Sequence, residues 1–113
     1  MPPESRKLLW DALQAAARIA RFASGRSFDD YVTDDLLRSG IERQFEIIGE
    51  ALAQLRSTDP DTAELIPNLR QIVAFRNILA HGYASVNDRT VWQAIHDNLG
   101  GLTETLRGLL PGD

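Results

Sequence analysis

The segment FRNILAHGYASV, residues 75–86, places four polar or ionisable side chains at the end of an otherwise apolar helical pattern. These side chains are Arg76, Asn77, His81 and Tyr83. On a helical wheel the apolar residues of this region cluster on one side, and Arg76 falls in the middle of that side. Because a buried guanidinium without a partner is very costly, Arg76 must meet a carboxylate, a phosphate or an open cleft.

The same wheel separates the polar residues into two faces. Arg76 and His81 are five residues apart and therefore lie about 140° from each other. Asn77 shares the face of His81, whereas Tyr83 lies about 20° from Arg76. One straight helix does not bring the arginine and the histidine together. Their convergence requires unwinding at Gly82, a long reach by the arginine, or a second copy of the chain, and the last of these favours a symmetric dimer in which two such segments face each other.

Arginine and histidine together suit the cleavage of a phosphodiester. Histidine moves a proton near neutral pH, and arginine can hold the scissile phosphate and the charge that builds up on it. In RNA the 2′-hydroxyl can act as the internal nucleophile, so this chemistry needs no metal. Spacing alone leaves a second interpretation open, in which His81 is a helix cap or a structural group. The other histidine, His96, lies outside the leucine seam of the last predicted helix and is expected at the surface. That seam is the apolar row Trp92, Ile95, Leu99, Leu102, Leu106 and Leu109, spaced alternately three and four residues apart.

The composition of the chain excludes several classes of protein. With 113 residues, 43% of them hydrophobic and 25% charged, the chain is expected to form a single helical domain over residues 1–113. The absence of cysteine excludes disulfides, thiolate metal sites and a cysteine nucleophile. No signal-peptide pattern and no long apolar run occurs, which predicts a cytoplasmic protein with no membrane contact. A net charge of −4 argues against a broad basic surface for nucleic acid, so any RNA contact must be local.

Apolar residues at helical spacing predict an all-α fold, an up-down bundle of four to five helices that is dimeric. The predicted helices run from Ser5 to just before Gly25, from Asp34 to Ser57, from Leu69 to His81 and from Asn87 to Leu110, with shorter helical turns in SFDDYV (27–32) and around Thr62 to Leu65. Gly100 and Gly101 interrupt the last of these helices, where they predict a bend or a close helix contact.

A row of acids on the second long helix needs an explanation. Glu42, Glu46 and Glu50 follow one another at four-residue steps, and Gly49 lies beside them. Such like charges cost a few tenths of a kcal/mol per pair, and a glycine in mid-helix costs about 1 kcal/mol relative to alanine. Two interpretations stay open. The row is either a solvated acidic face with an incidental glycine, or a groove where a partner helix or an arginine comes close.

Read as R-x-x-x-x-H-x-Y, the motif of Arg76, His81 and Tyr83 resembles the HEPN superfamily and specifically the HepT-like toxins. The resemblance extends in order and spacing to three further segments, RSFDDYVTDD (26–35), IERQFEIIGEAL (41–52) and VNDRTVWQAIHDNL (86–99). It therefore covers most of the chain.

The resemblance implies a dimeric helical bundle that builds a cleft from the motifs of both protomers and cleaves cellular RNA without a metal. In that family the counterparts of Arg76 and His81 are the catalytic pair, and Asn77 is the polar residue that often follows the arginine. Tyr83 would be the tyrosine to which a partner nucleotidyltransferase antitoxin attaches adenylate. A phosphate on Tyr83 could then pair with Arg76 and occupy the place of the RNA phosphate.

Glu46 and Glu50 lie in the stretch EIIGEA of this resemblance and are candidates to orient Arg76 or His81. The expected partners are a second copy of the chain, RNA and the nucleotidyltransferase antitoxin, with no cofactor and no metal. Two alternatives remain. The chain could be a nucleotide-binding module or substrate of a nucleotidyltransferase that does not cut RNA, or a helical bundle whose dimer interface pairs Arg76 with Glu46 or Glu50.

Overall fold

The computed structural model describes residues 1–82 and 86–110, and over these residues it is helical with no strand. This confirms the predicted all-α class. The described part of the chain forms seven helices: α1 (Pro3–Ala23), α2 (Phe28–Thr33), α3 (Asp35–Thr58), α4 (Pro60–Ala63), α5 (Leu69–His81), α6 (Asp88–Asp97) and α7 (Leu99–Leu109). Among them, none is long and apolar enough to cross a membrane.

The two longest helices, α1 and α3, form the centre of the bundle. α1 contributes small buried residues, which let α3 approach closely, and α3 contributes larger ones. The buried residues at this interface include Ala12, Ala15, Ala16, Ile19, Ile41, Ile48, Leu52 and Leu55. Each fully buried Leu or Ile side chain contributes about 1.5–3 kcal/mol, so this pair supplies much of the stability of the fold. α5 packs on α3, α7 packs on α1, and α2 packs on α3 and α6.

Side-chain caps fix the short turns between α1 and α3. Ser27 Oγ accepts a hydrogen bond from the Asp30 amide at 3.1 Å, and Asp30 Oδ2 accepts one from the Ser27 amide at 2.9 Å. This reciprocal capping box starts α2 and confirms the turn predicted in SFDDYV. Asp34 Oδ1 then accepts from the amides of Leu36 and Leu37, both at 3.1 Å, so Asp34 is the N-cap of α3 rather than its first residue.

The short turn after α3 lies two residues earlier than predicted. The prediction placed it around residues 62–65, but α4 spans Pro60–Ala63. Asp59 caps it by accepting from the amide of Thr62 at 3.3 Å, and the same carboxylate accepts from Ser5 Oγ of α1 at 2.7 Å. A proline at the first helical position and an acidic cap before it therefore set the start of the helix.

The prediction of a single helix from Asn87 to Leu110 is wrong, because α6 and α7 are separate helices. The chain breaks at Asn98 (φ −120°, ψ −32°) and not at Gly100 and Gly101. Both glycines are exposed in the first turn of α7, and a Cβ on either would meet nothing within 4 Å. No close helix contact therefore requires them. The leucine seam survives the break, since Leu99 and Leu106 are buried in the core.

Candidate functional site

The site is built where α5 lies against α3, and the two helices are in close contact at Gly49 and Arg76. A Cβ built on Gly49 would overlap Arg76 Cβ and lie 2.6 Å from Arg76 Cγ. Beside this contact, the rings of Phe45 and Phe75 pack edge-to-face with centroids 5.2 Å apart. Gly49 is buried, so it is not an incidental residue on a solvated face. The alternative prediction, a groove where an arginine comes close, is the one the structure confirms.

This packing fixes the aliphatic part of the Arg76 side chain and leaves its guanidinium partly exposed. The side chain is 30% exposed, and its Nη2 lies 3.9 Å from Glu50 Oε1. Nη1 donates a hydrogen bond to Asn77 Oδ1 at 2.9 Å. Nε is buried and has no hydrogen-bond partner among residues 1–82 and 86–110. A buried donor without a partner costs about 1–3 kcal/mol, whereas the partly exposed end of the guanidinium can donate hydrogen bonds to an anionic oxygen.

Glu50 lies between two arginines. Arg43 Nη1 donates to Glu50 Oε1 at 3.1 Å and to Glu46 Oε2 at 3.2 Å. Of the two acids predicted to orient Arg76, the structure places Glu50 beside it, whereas Glu46 pairs with Arg43 instead. Arg43 was missed by the sequence analysis. The sequence did indicate its position, because Arg43 precedes Glu46 by three residues and Glu50 by seven, and these spacings put all three on the same side of a helix.

The third acid of the row, Glu42, has different surroundings. Burial raises its pKa, as does the charge of Asp88, while Arg38 lowers it. Burial also raises the pKa of Tyr31, whose hydroxyl is buried without a hydrogen-bond partner among the described residues. The Tyr31 ring packs on Trp92 of α6 with centroids 5.4 Å apart. This contact packs α6 against α2.

His81 and Arg76 are both on α5 but do not share a face. α5 is one continuous helix from Leu69 to His81, so the separation of about 140° read from the wheel applies to them. Arg76 is turned toward α3, whereas His81 and Asn77 are exposed. Gly82 ends the helix with its N–H donating to the Ile78 carbonyl at 2.8 Å.

The prediction that Tyr83 lies close to Arg76 concerns a residue outside the described part of the chain. His96 is exposed, as predicted, with its ring edge-on to Trp92 at 5.1 Å. Within the described ranges, no group of three or more His, Cys, Asp or Glu side chains could hold a metal ion.

Comparison with known proteins gives the family. A sequence profile described as "Ribonuclease HepT-like" matches residues 12–109. "Putative RNase TTE0752" of Caldanaerobacter subterraneus subsp. tengcongensis is 30% identical over 105 residues, which cover 93% of this chain and 93% of that protein. "Probable ribonuclease HepT" of Thermococcus cleftensis is 28% identical over 96 residues, 83% of this chain and 84% of that protein. No solved structure matches the chain.

The profile match spans far more than half of the chain, and the TTE0752 protein is similar over nearly its full length. Relatives named as ribonucleases support ribonuclease activity at the level of the family. The helical fold agrees with the HEPN bundle that the resemblance implied. The chain therefore belongs to the HepT-like ribonuclease family of the HEPN superfamily.

Proposed function

We propose that the protein is a metal-independent endoribonuclease toxin that cuts cellular RNA, with Arg76 and His81 as its catalytic pair. The observation that carries the proposal is how Arg76 is held in place. Its stem is clamped against Gly49, and its Nε is buried without a hydrogen-bond partner in the described part of the chain. A guanidinium fixed in this way can bind a phosphate through two donors at once.

In the proposed reaction His81 takes the proton of the 2′-hydroxyl and the 2′-oxygen attacks the phosphorus. The bond from phosphorus to the 5′-oxygen breaks, and the leaving oxygen takes a proton from water. Arg76 holds the phosphate oxygens as negative charge develops on them. Asn77 holds one guanidinium nitrogen, and Glu50 lies beside another. The products are a 2′,3′-cyclic phosphate and a 5′-hydroxyl.

The site is completed by a second copy of the chain. The outward side of α5 presents Ala74, Ile78 and His81 at helical spacing, and Ile78 is 47% exposed. An apolar residue one turn before an exposed histidine suits contact with another protomer. In a symmetric dimer formed at the exposed end of α5, His81 of each copy can approach the partly exposed guanidinium of its partner's Arg76, although the two residues lie about 140° apart on one helix.

We further propose that a nucleotidyltransferase antitoxin neutralises the toxin by attaching adenylate to Tyr83. This residue follows His81 by two positions. A phosphate on its side chain would add a bulky anion two residues from the proposed catalytic histidine, and it would repel or displace the RNA phosphate.

The experiment is cleavage of a defined single-stranded RNA in excess EDTA. We expect the purified wild-type protein to cut it and to leave 2′,3′-cyclic phosphate ends. A matched RNA with one 2′-deoxynucleotide at the cut site should stay intact there, because it lacks the nucleophile. Cleavage that EDTA abolishes, or that proceeds equally at the 2′-deoxy position, would contradict the proposal.

The same assay tests Tyr83. After co-expression with a minimal nucleotidyltransferase, the protein should gain the mass of one or more adenylate units on Tyr83 and lose RNA cleavage. The variant Tyr83→Phe should keep its unmodified mass under the same conditions. Adenylate on Tyr83 with no RNA cleavage by the unmodified protein would instead support the non-catalytic substrate partner.

A further inference from the structure

A groove of about 230 Å³ runs between α1 and α3. Its lining residues include Trp10, Asp11, Gln14 and Arg18 of α1 and Ile47, Glu50 and Gln54 of α3. None of the α1 residues of this groove belongs to the motif described above. The groove is open to solvent along one side, and its lining mixes polar and apolar groups rather than forming a closed apolar cavity.

The groove is continuous with the proposed catalytic site through one side chain. Glu50 lines the groove, and its Oε1 lies 3.9 Å from Arg76 Nη2 and 3.1 Å from Arg43 Nη1. Because Glu50 lies beside Arg76 and also lines the groove, the groove opens next to the place proposed for the RNA phosphate.

Trp10 gives the groove a surface on which a flat ring can stack. Its side chain is 53% exposed, which is unusual for an indole that could have been buried in the core. Gln14 and Gln54 add amide groups, each with donors and an acceptor. Arg18 reaches across to α3, where Nη1 donates to Gln44 Oε1 at 3.5 Å. Aromatic, amide and guanidinium groups are the ones that bind the face and the edges of a nucleobase.

The charge of the protein favours such a base contact. The net charge is −4, which argues against the broad basic surface that holds many RNA-binding proteins on phosphates. Arg43 and Arg76 also form ion pairs with the carboxylates of Glu46 and Glu50. These carboxylates weaken the long-range electrostatic attraction of the two arginines for RNA. Stacking of bases on aromatic side chains provides affinity that does not depend on net charge and tolerates any base.

We infer that the groove between α1 and α3 is a nucleobase subsite, in which a base of single-stranded RNA adjoining the scissile phosphate stacks on Trp10. The inference rests on the proposed ribonuclease function, because Arg76 sets where that phosphate lies. It adds a substrate class, single-stranded RNA with an unpaired base at the cut.

The test is binding of a short single-stranded RNA by the full-length His81→Ala protein, so that the RNA is not cut. Adding Trp10→Ala should weaken binding by about 5- to 150-fold, and Trp10→Phe should restore much of it, because phenylalanine keeps a stacking ring. The control is Leu36→Ala, which removes a side chain that is 83% exposed at the start of α3, away from the groove. The slope of log affinity against log salt should be the same with and without Trp10, since a base contact releases no counterions.

Equal RNA affinity with and without Trp10 would overturn the inference. So would loss of the dimer in Trp10→Ala, measured by analytical ultracentrifugation, because the groove would then be an interface between copies of the chain. The two proposals fail separately. Wild-type protein that binds RNA through Trp10 but never cuts it contradicts the ribonuclease function alone, whereas RNA cleavage with an unchanged KM in Trp10→Ala contradicts the subsite alone.

Discussion

Replacing Arg76 with alanine is expected to lower the rate of RNA cleavage by about 10²- to 10³-fold, the usual effect of removing one donor to the charge of a transition state. The fold should survive. The substitution removes a buried Nε that lacks a partner among the described residues, and Glu50 keeps its ion pair with Arg43. Arg76→Lys should recover only part of the activity, because an ammonium cannot form the two parallel hydrogen bonds of a guanidinium.

Arg70→Ala is the matched control for Arg76→Ala, since Arg70 is an exposed arginine on the same helix. Its cleavage rate should stay within a factor of about two of the wild type, as expected for a surface charge away from the site. If Arg76→Ala and Arg70→Ala cut RNA at the same rate, the assignment of Arg76 is wrong.

His81→Ala should lose about 10²- to 10⁴-fold in rate, the range for removing a general acid or base. The chain offers its own control in His96→Ala, because His96 is the other histidine and is also exposed on a helix. Circular dichroism should show the same helix content in both variants. Equal losses in His81→Ala and His96→Ala would point to a general effect on the protein and not to a catalytic histidine.

Gly49→Ala is expected to destabilise the protein by about 1–3 kcal/mol, although alanine is the better helix former by about 1 kcal/mol. The new Cβ would overlap Arg76 Cβ, which is close to the backbone and cannot swing away. α5 must therefore move off α3, and the edge-to-face contact of Phe45 and Phe75 loosens with it. RNA cleavage should fall as well, since the same contact positions Arg76. Chemical denaturation measures the loss of stability.

Two further variants test the cause of that destabilisation. Gly40→Ala changes the other glycine of α3, where a Cβ would meet the Phe22 ring at an ordinary 3.5 Å, and it should be neutral or stabilise by up to about 1 kcal/mol. In an Arg76→Gly background the overlapping Cβ is absent, so Gly49→Ala should no longer destabilise. A Gly49→Ala protein at least as stable as the wild type would show that α3 and α5 are not packed as described.

Local sequence was sufficient to place α5, because its apolar pattern begins at Leu69 and Gly82 follows its last residue. It was also sufficient to show that Arg76 needed a partner. It could not identify that partner, since the contact of Arg76 with Gly49 and Glu50 depends on how two helices separated by a turn cross each other. For the same reason, the two interpretations of Gly49 could not be separated until the packing of α3 and α5 was known.

The errors have physical causes of the same kind. The break of the last helix was assigned to Gly100 and Gly101, the residues with the weakest helix propensity, but it occurs at Asn98, where the core changes from α2 to α1 as the packing partner. The burial of Tyr31 was invisible for a related reason, since a six-residue helix has too few positions to reveal which side faces the core. Packing, which local sequence does not reveal, decided the structure in both places.

The most direct test of a cleft shared by two chains is to mix the inactive variants Arg76→Ala and His81→Ala. If each site takes its arginine from one protomer and its histidine from the other, every mixed dimer has one intact site. With random exchange, half of the dimers are mixed and about a quarter of the wild-type activity should return. Native mass spectrometry confirms that mixed dimers have formed. Mixed dimers with no more activity than either variant alone would contradict the shared cleft.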